Sequence, residues 1–148
     1  MEMAQGLSLE QREARKLLLL RSSQSEVLIL TSRRLSEAWS PELRRGLESC
    51  AERGLRVRML LEGGVPSSRA SGIEVRECPR RLSRMLRPFP VHTEAWVFDR
   101  KAAITANERM VSAAPLGIAS AFRADCLLGE ESANGLASYF EQRWQLEG

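Results

Sequence analysis

The residues best suited to chemistry lie in one stretch of the chain, residues 91–107. It contains His92, the only histidine among 148 residues. A histidine can be a nucleophile, a ligand contact or simply a hydrogen-bonded polar group. The nearest acidic residues along the chain are Glu94 and Asp99. All three interpretations of His92 remain open from the residues alone.

The sequence around His92 predicts a β-hairpin. Strand-forming residues run from Thr93 to Phe98, Asp99-Arg100 makes a two-residue turn, and Lys101–Thr105 returns. His92 is therefore expected at or near the start of a strand.

The spacing from His92 to Asp99 resembles the phospholipase D signature, H-x-K-x4-D-x6-G-S-x-N. In that family the histidine is the nucleophile on a phosphodiester, and the lysine and asparagine hold the phosphate oxygens. Here Glu94 stands at the lysine position, Ala106-Asn107 at the Gly-Ser positions and Arg109 at the asparagine position. A carboxylate at the lysine position repels a phosphate. The resemblance implies the fold of the family, and the replaced residues predict a pseudoenzyme with no catalytic residues.

Two further segments resemble the same superfamily in the same order. Residues 50–58, Cys-Ala-Glu-Arg-Gly-Leu-Arg-Val-Arg, resemble its A-x-x-R-G-V-x-V-R segment, and residues 72–76, Gly-Ile-Glu-Val-Arg, resemble the G-V-x-V strand that follows it. The last predicted helix carries a similar F-x-x-x-W pattern at Phe140 and Trp144. The resemblance therefore extends over most of the chain.

The elements that position this stretch predict an α/β fold. In chain order they are a helix with Ser8 as N-cap that breaks at residues 22–25, strand Glu26–Thr31, a helix from Ser40 to Gly54, strands at residues 55–61 and 73–78, the hairpin, strand 121–128 and a helix from Ser132. The strand–helix–strand order implies a right-handed crossover and parallel pairing. We predict a mixed, largely parallel sheet flanked by helices, in a single domain of residues 1–148 with residues 1–7 flexible.

Composition limits the remaining classes of function. No apolar run approaches the roughly 18 residues of a membrane span, and no signal pattern follows Glu2, so we expect a cytoplasmic protein with no membrane contact. The cysteines Cys50, Cys78 and Cys126 form no C-x-x-C pair, and one histidine cannot complete a usual zinc site with them. No metal and no cofactor are expected.

Arginine dominates the basic residues, because only Lys16 and Lys101 of the 22 are lysines. Genome composition explains this bias, and so does phosphate binding. A net charge of +3 is too mild to favour nucleic acid by itself. The Arg80–Arg87 segment, which leads into His92, could pack on the surface, close over a pocket as a lid, or bind nucleic acid.

In its small size and eroded motif, this chain resembles the effector-sensing or dimerisation domains of bacterial transcription regulators of the TrmB-like and LuxR-like kind. That resemblance implies a homodimer, a small polar ligand, and DNA contact only through another domain. Because Glu94 adds an acceptor where the family binds phosphate, we expect the ligand to carry hydrogen-bond donors. The predicted ligand-binding residues are His92, Glu94 and Asn107, with Arg84 and Arg87 reaching in from the preceding segment.

The rival from another class is a dimeric phosphodiesterase or nuclease in which Lys101 or Arg109 replaces the missing cation. A third alternative is nucleic-acid binding through the Arg80–Arg87 segment.

Overall fold

The structure is a computed structural model that describes residues 2–5, 9–63, 72–78, 94–113 and 118–147. These residues form a seven-stranded sheet in the order β1-β7-β6-β5-β2-β3-β4, with helices on both faces. The strands are β1 (Glu2–Gln5), β2 (Glu26–Ser32), β3 (Arg56–Glu62), β4 (Ile73–Cys78), β5 (Glu94–Phe98), β6 (Ala102–Ala113) and β7 (Ile118–Leu128). The helices are α1 (Leu9–Ser22), α2 (Arg33–Glu37), α3 (Pro41–Glu52) and α4 (Glu130–Glu147).

The predicted mixed α/β sheet flanked by helices is confirmed. Strands β2, β3 and β4 run parallel, whereas β5 pairs antiparallel with β2, and β6, β7 and β1 continue the sheet as antiparallel strands. Fewer strand pairs are parallel than predicted. The connections from β5 to β6 and from β6 to β7 are short, and a short connection between neighbouring strands makes them antiparallel.

The parallel core follows from local signals that the sequence already carries. The Ser40 hydroxyl accepts a hydrogen bond from the Leu43 amide at 3.1 Å, and Pro41 occupies the first turn of α3. Gly54 follows the helix with a φ of +91°, a conformation that favours glycine. Strand β3 then pairs with β2 from Glu26 opposite Arg56 onward. The predicted strand–helix–strand unit is confirmed.

The predicted hairpin is confirmed as well. Asp99 and Arg100 both have positive φ, 54° and 60°, as the two central residues of a type I′ turn require. The Lys101 amide closes the turn by donating to the Phe98 carbonyl at 3.0 Å. The return strand continues beyond the predicted Thr105, because β6 pairs with β7 as far as Ala113 opposite Ile118.

Three local features differ from the sequence-based expectation or lie beyond it. Residues 2–5, expected to be flexible, pair with β7, whose outer backbone groups would otherwise lack strand partners. Helix α2 was not predicted, and the Ser32 hydroxyl caps it by accepting from the Leu35 amide at 3.1 Å. The Ser8 cap and the segment from Arg80 to Arg87 lie outside the described residues.

Side chains alternate between two cores along the sheet. In β2, Val27 and Ile29 face α1 and α3, whereas Leu28 and Leu30 face α4. Helices α1 and α3 approach closely at Gly46, where an added Cβ would lie 2.9 Å from Cδ2 of Leu17. Among the described helices, none combines the length and apolar character that a membrane span requires.

Candidate functional site

Glu94 marks the edge of the sheet at which a site is expected. It is the first residue of β5, and its neighbour Ala95 pairs with Leu30 near the end of β2. The carboxyl ends of parallel strands, next to the point where the strand order changes, are where ligands bind in open α/β sheets. Residue 94 therefore lies at the usual position of a ligand site in such a sheet.

The Glu94 carboxylate is surrounded by donors from the protein itself. Its Oε1 accepts from the Trp96 indole at 2.8 Å and faces Nζ of Lys16 at 3.3 Å. Its Oε2 accepts from the Thr31 hydroxyl at 2.7 Å and from the Trp39 indole at 3.2 Å. The side chain is only 1% exposed. We name these five residues the Glu94 cluster.

Lys16 balances the charge of this cluster. Its side chain is 3% exposed, and its ammonium lies 5.4 Å from the centroid of the Trp96 ring. The Trp39 and Trp96 rings pack with centroids 5.0 Å apart. Burying a lone carboxylate or ammonium costs several kcal/mol, and the pairing of Lys16 with Glu94 offsets part of that cost for both groups. The cluster is therefore an internal ion pair and not an open acceptor.

Helix α1 is tied to the same edge by a second buried charge. Glu13, one turn before Lys16, is 5% exposed, and its Oε2 accepts from the Ser40 amide at 3.1 Å. Side chains three residues apart lie on one face of a helix, so Glu13 and Lys16 enter the protein side by side. Helix α1 thus connects the start of α3 with the start of β5.

Of the predicted ligand-binding residues, only Glu94 has a side chain that the structure describes. His92, Arg84 and Arg87 lie outside the described residues, and of Asn107 only the backbone is described, next to Ala106, which pairs with Glu94. Glu94 lies at the expected edge, but its oxygens contact protein donors. The structure therefore supplies a reason for the carboxylate that differs from the predicted ligand contact, and the pocket itself remains a prediction.

Asp99, the second matched motif residue, has a structural task at the other end of β5. Its carboxylate accepts from the amides of Gln24, Ser25 and Glu26 at 2.8–3.0 Å and from the Ser25 hydroxyl at 2.9 Å. Partial burial raises the pKa of Asp99, but these hydrogen bonds outweigh it and lower the pKa below its ordinary 3.8. Asp99 fixes the hairpin turn to the start of β2.

The positions of the motif's lysine and aspartate, residues 94 and 99, are too far apart to share one site. Asp99 follows Glu94 by five positions, and a strand rises about 3.3 Å per residue, so the two residues lie about 16 Å apart. Lys101 follows Asp99 in the same turn and is exposed. Lys101 therefore lies at the opposite end of the hairpin from Glu94, the position of the motif's lysine. The structure does not describe the side chain of Arg109.

Among the residues that the structure describes, Lys16 supplies a cation to this site, and its role could not be identified from the sequence. Seventy-eight positions separate Lys16 from Glu94, so no local spacing joins them. One signal was present: Lys16 is one of only two lysines, and it adjoins the apolar run Leu17–Leu20. In the described part of the chain, no group of three or more side chains could hold a metal ion.

The chain is similar to known proteins in its three-dimensional structure but not in its sequence. No protein-family model matches the chain, and no curated protein matches it. The phospholipase D family member Nuc from Salmonella typhimurium superposes with a TM-score of 0.64 at 17% identity, over 97% of this chain and 94% of Nuc. NucT from Helicobacter pylori gives 0.60 at 11% identity, over 97% of this chain and 94% of NucT.

A third similar structure is TrmBL2, described as an archaeal chromatin protein with a novel mode of DNA binding. It superposes with a TM-score of 0.64 at 12% identity, and the match covers 100% of this chain but 54% of TrmBL2. At such identities the comparisons inform on the fold alone. Together with the mixed sheet and its two helical layers, they show that the chain has a phospholipase D-like fold.

Proposed function

We propose that this chain is a catalytically inactive phospholipase D-like domain that serves as the ligand-sensing and dimerisation module of a bacterial transcription regulator. The observation that carries the proposal is the Glu94 cluster. A carboxylate occupies the motif's lysine position, and the nearby cation, Lys16, is held in an internal ion pair at 3.3 Å. Neither group is left to bind a phosphodiester.

The regulator role and the assembly have separate support. TrmBL2, whose described function is DNA binding, shares the fold over the whole of this chain and extends well beyond it. The family joins two motif copies across a twofold axis, and this chain carries one. We therefore expect a C2 homodimer with the two His92 hairpins near each other. A monomeric mass in light scattering at micromolar concentration would contradict this assembly.

Phosphodiesterase activity is expected to be absent. The protein should release p-nitrophenol from bis-p-nitrophenyl phosphate, and cut DNA, no faster than buffer alone does, because Glu94 puts a carboxylate at the position of the motif's phosphate-binding lysine. The variants to compare are His92→Ala and Glu48→Ala, the latter an exposed position on α3. Turnover that disappears in His92→Ala and persists in Glu48→Ala would support the dimeric nuclease instead.

Ligand binding is expected at the Glu94 edge and should involve His92 and Asn107. A small polar compound such as a sugar, an amine or a nucleoside should raise the free energy of unfolding by about 2.7 kcal/mol at a hundredfold excess over its Kd. Thermal shift measures this, and the tryptophan emission should change too, because Trp39 and Trp96 both contact Glu94. If every stabilising compound raises the stability of His92→Ala and of Asn107→Ala as much as that of the parent chain, the pocket is wrongly placed.

A further inference from the structure

A concave site lies between α1 and α3. It is a cleft of about 510 Å³, within the range of small-molecule sites. Its solvent-facing rim includes Arg21, Arg45 and Arg53, all exposed. The Glu94 cluster, in contrast, is buried between the helices and the sheet. We name this site the α1–α3 cleft.

The floor of the α1–α3 cleft is apolar. Leu17 and Leu20 line it together with Gly46, which contributes bare backbone. A Cβ at residue 46 would lie 2.9 Å from Leu17 and 3.3 Å from Leu20. The glycine therefore lets the helices approach and keeps the floor smooth. An apolar group of modest size could rest on it and be removed from water.

The rim carries fixed and free positive charge. Arg53 is held in place because its guanidinium donates to the carbonyls of Leu20 at 2.8 Å and Arg21 at 3.3 Å. Within the described part of the chain, Arg21 and Arg45 form no ion pair. Three arginines and the single carboxylate of Glu42 give the lining a net charge of +2. The hydroxyl of Ser49 adds a further donor.

We propose that the α1–α3 cleft binds a phosphate monoester that carries a short apolar group. A monoester has a charge between −1.5 and −2 at neutral pH, which matches the charge of the lining. Guanidinium groups bind phosphate oxygens through paired N–H donors. The apolar floor accommodates the organic part and selects such an ester over inorganic phosphate. This site is separate from the ligand pocket proposed around His92.

The test titrates the full chain with phenyl phosphate in a calorimeter. Arg21→Gln and Arg45→Gln should each weaken binding about tenfold, the loss of a charge-assisted contact. Arg56→Gln is the matched control, since Arg56 is an exposed arginine on β3 whose ion pair with Glu74 spans 3.5 Å at the surface. Inorganic phosphate should bind more weakly than phenyl phosphate, because it leaves the floor exposed.

The source of the ester is distinguished by a second arm with phospholipid vesicles, with and without a lipid whose headgroup is a phosphate monoester. Binding to phenyl phosphate that falls in both cleft variants supports a soluble ligand. Binding that appears only on the monoester vesicles and falls in the same variants supports a lipid headgroup in the same cleft. Binding unchanged by both variants, or no binding in either arm, overturns the proposal. His92→Ala should leave the cleft unaffected, so this result and the sensor pocket can fail separately.

Discussion

Replacing Glu94 by lysine is expected to lower the free energy of unfolding by about 3–5 kcal/mol, the usual cost of leaving a buried charge uncompensated. The variant would restore the lysine of the phospholipase D motif, but it would place a second ammonium beside Lys16 in a site that is 1% exposed. The indoles of Trp39 and Trp96 would also lose their acceptor. Chemical denaturation followed by tryptophan fluorescence measures the loss.

A double-mutant cycle separates the charge from the packing. Lys16→Met alone should be destabilising by a similar amount, because the carboxylate keeps three neutral donors but loses the ammonium of Lys16. Lys16→Met combined with Glu94→Gln should recover much of that stability. Glu48→Lys makes the same change of charge at an exposed position of α3 and should cost less than about 0.5 kcal/mol. Losses below about 1 kcal/mol in both single variants would show that the pair is not what holds α1 on the sheet.

The fold could be predicted where local chemistry decides the structure. Ser40 and Gly54 bound α3 by capping, and the strands on either side alternate or run apolar as buried strands do. The ends of the sheet could not be predicted in this way. Residues 108–113 are not especially rich in strand formers, and they are extended because β7 pairs with them. The same holds for residues 2–5, whose strand depends on a partner more than a hundred positions away.

The candidate site could be placed from the sequence but not understood from it. The motif spacing located Glu94 at the correct edge, and electrostatics indicated that a carboxylate there opposes phosphate binding. The partner that makes the carboxylate tolerable comes from α1, and only the packing of α1 on the sheet brings Lys16 to it. Asp99 illustrates the same limit. The sequence placed Asp99 in the motif and in the hairpin turn, but it could not show that its carboxylate accepts from the amides of residues 24–26 and so fixes a loop.

A second buried charge network holds α4 on the opposite face of the sheet. Arg58 of β3 is 1% exposed, and its guanidinium lies 5.4 Å and 5.5 Å from the ring centroids of Phe140 and Trp144. It forms ion pairs with Glu26 and with Glu141. Arg58 is therefore the contact at which the charges and the aromatic rings of this face meet.

Replacing Arg58 by methionine is expected to lower the free energy of unfolding by about 3 kcal/mol at neutral pH, the lower end of the range for a broken buried pair. The lower end applies because Glu26 and Glu141 remain partly exposed and keep Arg100 as a partner. Methionine fills part of the same space, so the loss reflects charge more than cavity. Arg56→Gln on the same strand removes only an exposed ion pair, and it should cost less than about 1 kcal/mol.

The loss caused by Arg58→Met should depend on pH in a defined direction. The hydrogen bond from Arg58 is the main reason that the pKa of Glu141 lies below its ordinary 4.5, against a smaller opposing effect of burial. A depressed folded-state pKa means that the pair stabilises the protein above the pKa of the unfolded chain, and that this stabilisation is lost as the pH falls through the lower, folded-state pKa. The difference in unfolding free energy between the parent chain and Arg58→Met should therefore be full at pH 7 and shrink when the pH is lowered below 4.5. A difference that stays constant between pH 7 and acid would assign the role of Arg58 to its contacts with Phe140 and Trp144, since those contacts do not titrate.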